Sequence, residues 1–171
     1  MSSITGFAPI VSAAARVLIL GTMPSVESLR QQQYYGHPHN AFWPIMARLL
    51  NFEPSVAYPE RTAALTAHGL ALWDVLHSCQ RQGSMDADIR QESLVANDYH
   101  SFFNSYPAIQ YVFFNGKMAE KLYRKHVLPT VIGSFPELKY QVLPSTSPAF
   151  ATLRLAQKLE AWQAINQLMV K

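Results

Sequence analysis

The chain has 171 residues, of which 49% are hydrophobic and only 15% charged, a balance that suits one domain with a sizeable core, spanning residues 1–171. A net charge of +3 permits a polyanionic partner without demanding one, and no apolar run approaches the ~20 residues of a membrane helix. A single cysteine, Cys79, excludes an internal disulfide, and it excludes a zinc ribbon or an iron–sulfur cluster built from this chain's thiolates alone.

The N-terminus, MSSITGFAPIVSAAARV, has no basic stretch followed by a long apolar core, so a cytoplasmic protein is expected. Arg16–Gly21 is a short apolar run stopped by glycine and reads as a buried strand. Thr22–Asn40 is a long irregular connection with one helical turn near Ser25–Arg30, and loops of that length in compact domains are usually functional. Ala41–Leu50 reads as a helix capped by Asn40, and Glu60–Ala67 as a second helix. Gly69–Leu76 is a strand, followed by a polar loop through Gly83. Asn97 is expected to cap a helix toward Tyr106. Gln110–Asn115 is a third strand and Lys117–Val127 a helix. Leu138–Leu143 is a fourth strand, and the tail from Ala149 a helix with Leu155, Leu159, Trp162, Ile165 and Met169 on one apolar face. Strands alternating with helices predict a three-layer α/β fold around a parallel sheet.

In such sheets ligands bind beyond the carboxyl ends of the strands. Those ends are Gly21-Thr22-Met23-Pro24-Ser25, Asp74 with the polar stretch after it, Asn115-Gly116, and Pro144-Ser145-Thr146-Ser147-Pro148. The aromatic stretch YYGHPHNAFWP, Tyr34–Pro44, hangs from the first of them. The rim therefore collects rings for stacking, carboxamides with a paired donor and acceptor, and hydroxyls suited to phosphate. It lacks a nucleophile elbow and a Gly-rich phosphate fingerprint. A planar heterocycle on a sugar phosphate fits this set better than an ester, a peptide or a nucleoside triphosphate.

LILGTMPSVESL, QYYGHPHNAFWP, GLALWDVLHSCQRQGSMDADI, VFFNG and LPSTSPA resemble, in that order, segments of the uracil-DNA glycosylase superfamily, and most closely its hypoxanthine-DNA glycosylase (DNA-deoxyinosine glycosylase) branch. The resemblance runs from about Arg16 onward. It implies a four-stranded parallel sheet flanked by helices and hydrolysis of the bond between a deaminated base and deoxyribose in DNA, without metal or cofactor; a monomer is expected. It further implies that Asn40 is catalytic, that Tyr35 stacks on the extruded base, that Asn115 reads the base edge, and that Thr22 and Met23 frame the pocket. Ser145, Thr146 and Ser147 would hold phosphates, and Phe150 is a candidate wedge for the vacated stack. Thr22 and Met23 stand where many branches carry Asp or Asn, Ser25 stands where Gly is common, and the second motif lacks the His of the uracil-specific enzymes.

Hypoxanthine and uracil both present a carbonyl beside an N–H, so an Asn amide at position 115 fits either and pocket size must separate them. Uracil, xanthine or mismatched bases thus remain alternative substrates. A non-catalytic nucleotide or nucleic-acid binder could use the same rim. His37 and His39, an H-x-H pair with no paired carboxylate or thiolate, are expected to orient the loop or meet phosphate rather than hold a metal. Tyr34 and Trp43 read as packing residues, Cys79 as structural, and Asp74 as a strand-end residue outside the active site.

Overall fold

A computed structural model describes residues 3–169. β1 (Ser3–Thr5) opens the chain and β2 (Val17–Gly21) follows. Next come α1 (Val26–Gln31), α2 (Phe42–Leu50), α3 (Tyr58–Ala67), β3 (Leu70–Asp74), β4 (Leu76–Gln80) and β5 (Val95–Ala96). The remainder holds α4 (Tyr99–Ser105), β6 (Tyr111–Asn115), α5 (Lys117–His126), α6 (Leu128–Val131), β7 (Lys139–Leu143) and α7 (Leu155–Trp162), which runs on into a 3₁₀ segment, Gln163–Leu168.

The parallel sheet has the order β3-β2-β6-β7. Its central strands are apolar on both faces because both faces are covered. Leu18, Leu20, Val112 and Phe114 pack under α4, α5 and α6, while Val17, Ile19, Leu70, Leu72 and Phe113 pack under α2, α3 and α7. This is the three-layer, four-stranded parallel arrangement expected above. It brings the carboxyl ends of all four strands to one rim.

Several local readings are corrected. The strand expected over Gly69–Leu76 ends at Asp74, and His77–Gln80, expected within a polar loop, belongs to a strand: β4 pairs antiparallel with β1 and β5 in a second, three-stranded sheet. Asp98, one residue past the expected Asn97, caps α4 and accepts from the Ser101 amide at 3.1 Å. Asn97 instead donates its Nδ2–H to the Asp74 carbonyl at 2.8 Å. The last helix begins at Leu155 rather than at Ala149, and Leu155 itself is exposed, whereas Trp162 and Ile165 are fully buried. Asn40 lies just outside α2, whose cap position is Ala41, although its Oδ1 accepts from the Phe42 amide at 2.9 Å. Tyr34 and Trp43 are buried and joined, the Trp43 indole donating to the Tyr34 carbonyl at 2.8 Å.

Candidate active site

The turn after β2 begins the site. Ser25 caps α1 by accepting from the Ser28 amide at 3.1 Å, and Ser28 in turn accepts from the Gly36 amide at 2.9 Å. That second bond draws the aromatic loop back over the strand end. Tyr35, just before Gly36, has φ of 53°, a left-handed conformation that costs a bulky residue on the order of 1–3 kcal/mol. Packing holds it there. Phe42 stacks on one ring face with centroids 4.2 Å apart and planes 27° apart, so only the other face can take a base. The Tyr35 hydroxyl is buried over Gly21 and finds no hydrogen-bond partner among the described residues.

Thr146 joins the separate strands of this rim. Its amide donates to Asn115 Oδ1 at 2.9 Å, its Oγ1 accepts from Asn115 Nδ2 at 2.9 Å, and its carbonyl accepts from the Ala41 amide at 2.9 Å. A backbone N–H can only donate, so the first bond fixes which end of the Asn115 amide is oxygen. Asn115 is thus locked by its neighbour. Gly116 makes the approach possible: its φ is 95°, and a Cβ there would lie 3.1 Å from Ser145 Cβ.

Two buried cations secure the surrounding loops. Lys158 donates to the Phe150 carbonyl at 2.8 Å and to the Ser147 carbonyl at 3.5 Å, and its Nζ lies 5.3 Å from the Phe150 ring centre. Burial pushes its pKa down. Arg81 donates to the carbonyls of Gly83 and Pro24, which ties the loop after β4 onto the first motif.

These contacts enclose a cavity of about 310 Å³, at the small end of ligand clefts. Thr22, Met23, Tyr35, Asn40, Asn115, Ser145, Thr146, Ser147 and Phe150 all line it, although they come from opposite ends of the chain. Their parts differ. Ser145 and Ser147 use their oxygens to accept from the amides of Ser147 and Ala149, both at 3.2 Å, and each keeps its O–H to donate. Thr146 does not share the phosphate-facing role expected for it, because it is 1% exposed and its polar groups are engaged inward. His37 and His39 have ring centroids 5.6 Å apart, and no group of three or more metal-binding side chains occurs among the described residues.

The sequence reading missed the carboxylates. Asp74 and Asp86 line the same cavity. Asp74 is buried, and its carboxyl is pushed up to about 7 by burial and the Asp86 charge, with Arg81 pulling the other way. Asp86 is also raised by burial, with Thr22 and Arg81 opposing. Asp74 ending an apolar strand, LALWD, was the available signal. Asp86 lies in the segment GLALWDVLHSCQRQGSMDADI that carries the resemblance, but it sits in a 3₁₀ turn that only the tertiary fold brings to the rim.

The uracil DNA glycosylase superfamily profile matches residues 8–167. This chain belongs to that superfamily. Hypoxanthine DNA glycosylase of Methanosarcina acetivorans is 33% identical over 162 residues, covering 94% of this chain and 96% of its own length. Hypoxanthine DNA glycosylase of Methanosarcina barkeri is 35% identical over 113 residues, covering 66% of this chain and 70% of its own. A solution NMR structure of a candidate uracil DNA glycosylase from Methanosarcina acetivorans superposes with a TM-score of 0.76 at 30% identity, covering 96% of this chain and 99% of that one. Members of this superfamily hydrolyse N-glycosidic bonds, and the described residues of this glycosylase include no helix long and apolar enough to cross a membrane.

Proposed function

We propose that this glycosylase takes a deaminated base, hypoxanthine foremost, out of the DNA stack and hydrolyses its bond to deoxyribose, leaving an abasic site. The observation that carries the reading is the convergence of the superfamily's motif residues on one 310 Å³ cavity, in a chain whose curated relatives are named for hypoxanthine. Extrusion costs roughly a few kcal/mol, least for a mismatched base, and stacking on an aromatic returns about 1–3 kcal/mol. The face of Tyr35 opposite Phe42 is the surface proposed for that stack.

Bond cleavage develops oxocarbenium character at the sugar, and such a cation captures even weakly activated water. Asn40 suits the task of orienting that water. The Phe42 amide fixes its Oδ1 at 2.9 Å, so the carbonyl is held in one direction while keeping a lone pair for a water hydrogen. Asn115 Nδ2 retains one hydrogen beyond its bond to Thr146 and can give it to the departing base as negative charge builds there. Ser145 and Ser147 are the donors proposed for phosphate, and Phe150 the wedge.

The test is incubation with duplexes carrying one deoxyinosine, followed by alkaline cleavage of abasic sites. Strand cleavage is expected, and Asn40→Ala should abolish most of it while circular dichroism stays unchanged. Salt-dependent DNA affinity with no base release from any deaminated duplex would replace this reading with a binding function.

A further inference from the structure

Asp74 and Asn115 end the two strands that flank β2, Asp74 paired with Gly21 and Asn115 one residue beyond the Leu20–Phe114 pair. Between them the Tyr35 hydroxyl lies over Gly21: a Cβ built there would sit 2.6 Å from Asp74 Oδ1 and 2.8 Å from Tyr35 Oη. Asp74 is 4% exposed, and its Oδ2 is buried with no hydrogen-bond partner among the described residues. Tyr35 Oη is equally bare. A buried polar atom without a protein partner is met by ordered water or by a ligand, and both of these belong to residues that line the cavity.

Two neighbours of Asp74, Asn115 and Tyr35, carry donors. Asn115 turns its Nδ2 toward Thr146 Oγ1 and keeps a second hydrogen on the side of the Tyr35 hydroxyl, beyond strict hydrogen-bond geometry, and Tyr35 keeps its own O–H to donate. A carboxylate among them would offer the base an acceptor, whereas a carboxylic acid completes a floor of donors. Deamination changes one position in the same way in both base classes: the amino group of adenine or cytosine, a donor, becomes the carbonyl of hypoxanthine or uracil, an acceptor. A donor floor receives that carbonyl, and it meets an undamaged amino group donor against donor.

We propose that Asp74 is a specificity-determining residue of this pocket, donating a hydrogen bond from its neutral carboxyl to the carbonyl that deamination creates on the extruded base. The assignment rests on the glycosylase reading above and deepens it. Its surroundings favour the neutral acid. Facing the carboxyl are Tyr34 and Tyr35 from the aromatic loop, Asp86 and Arg81 from the segment after β4, and Tyr99 from α4, whose hydroxyl donates to the Asp74 carbonyl. Among the charged groups only Arg81 favours ionisation, and two of its nitrogens are committed to the Gly83 and Pro24 carbonyls. Burial and Asp86 hold the group at about 7, so the donor is present below neutrality and lost above it.

The test is single-turnover release of hypoxanthine from a deoxyinosine duplex between pH 5.5 and 9, for the wild type and Asp74→Asn. Wild-type release should fall roughly tenfold per unit of pH once above 7. Asp74→Asn, which keeps an N–H donor at every pH, should retain release and lose this alkaline limb. A flat wild-type profile, the same limb in Asp74→Asn, or a folded but silent Asp74→Asn would each overturn the assignment. If Asp74→Asn does not fold, binding of free hypoxanthine to the wild type at pH 6 and pH 8 reads the same proton, and equal affinity overturns it. A wild type that releases no base at any pH removes the glycosylase reading and this assignment with it; activity with a flat profile removes this assignment alone.

Discussion

Replacing Asp74 by Asn should stabilise the folded chain at alkaline pH and make no such difference in acid. In the unfolded chain this carboxyl titrates near its ordinary value of 3.8, and in the fold it is held at about 7 by burial and by Asp86. Below pH 3.8 both states carry the proton and no penalty exists. Between 3.8 and 7 the unfolded chain releases it while the folded chain keeps it, so stability is progressively lost, and above 7 the loss is complete. A gap of about three pH units at 1.36 kcal/mol each amounts to roughly 4 kcal/mol, a large share of a typical folding free energy. Asn cannot ionise and escapes this term. Urea unfolding followed by circular dichroism at pH 4, 6 and 8 should therefore give a stability difference between variant and wild type that widens in favour of Asn as pH rises. A difference that is constant across the range, or one that moves against Asn with rising pH, would refute the argument that Asp74 is buried and predominantly neutral.

Gly21→Ala should cripple the site while leaving the sheet intact, because the added methyl would lie 2.6 Å from Asp74 Oδ1 and 2.8 Å from Tyr35 Oη; base release should drop at least about a hundredfold, with far-ultraviolet circular dichroism unchanged. Lys158→Met should free the Ser147–Phe150 turn, cost about 1–3 kcal/mol in melting experiments, and weaken binding to duplex DNA. Thr146→Val removes the acceptor for Asn115 Nδ2 but keeps the amide that bonds Oδ1, so a stability loss of about 1 kcal/mol is expected together with poorer discrimination of hypoxanthine from adenine in a competition assay.

The strands VLILG and YVFFN were legible because fully buried parallel strands are continuous apolar runs ended by a strand-breaking residue. The rim followed from them, since a parallel sheet sends every strand's carboxyl end the same way. The second sheet was not legible. LHSCQ alternates too weakly between buried and exposed positions, and its partners are three and two residues long, so only tertiary pairing makes them strands. The α4 cap slipped by one residue because Asn97 and Asp98 are equally suited by type, and the bond to the Ser101 amide decides. Leu155 fits the helical spacing but sits in the first turn of α7, where the helix has not yet reached the core.

The candidate site divides along the same line. Residues within a recognisable motif, such as Tyr35, Asn40 and Asn115, could be nominated from the chain alone. What each can do depended on contacts between distant segments. Thr146 looks like a phosphate ligand in LPSTSPA, yet it is the buried joint between Asn115 and the start of α2. Asp74 reads as a strand-end residue outside the active site, and only the tertiary fold shows it buried in the cavity lining with Tyr35 and Asp86.

The most direct measurement is a structure of the protein bound to a duplex holding deoxyinosine with a fluorinated sugar that resists cleavage. The account predicts the purine rotated out of the helix, lying on the face of Tyr35 opposite Phe42 with its carbonyl toward Asp74 and Asn115 and its sugar beside Asn40. A purine still stacked in the duplex, or seated outside the cavity bounded by Gly21, Tyr35 and Asn115, would contradict it.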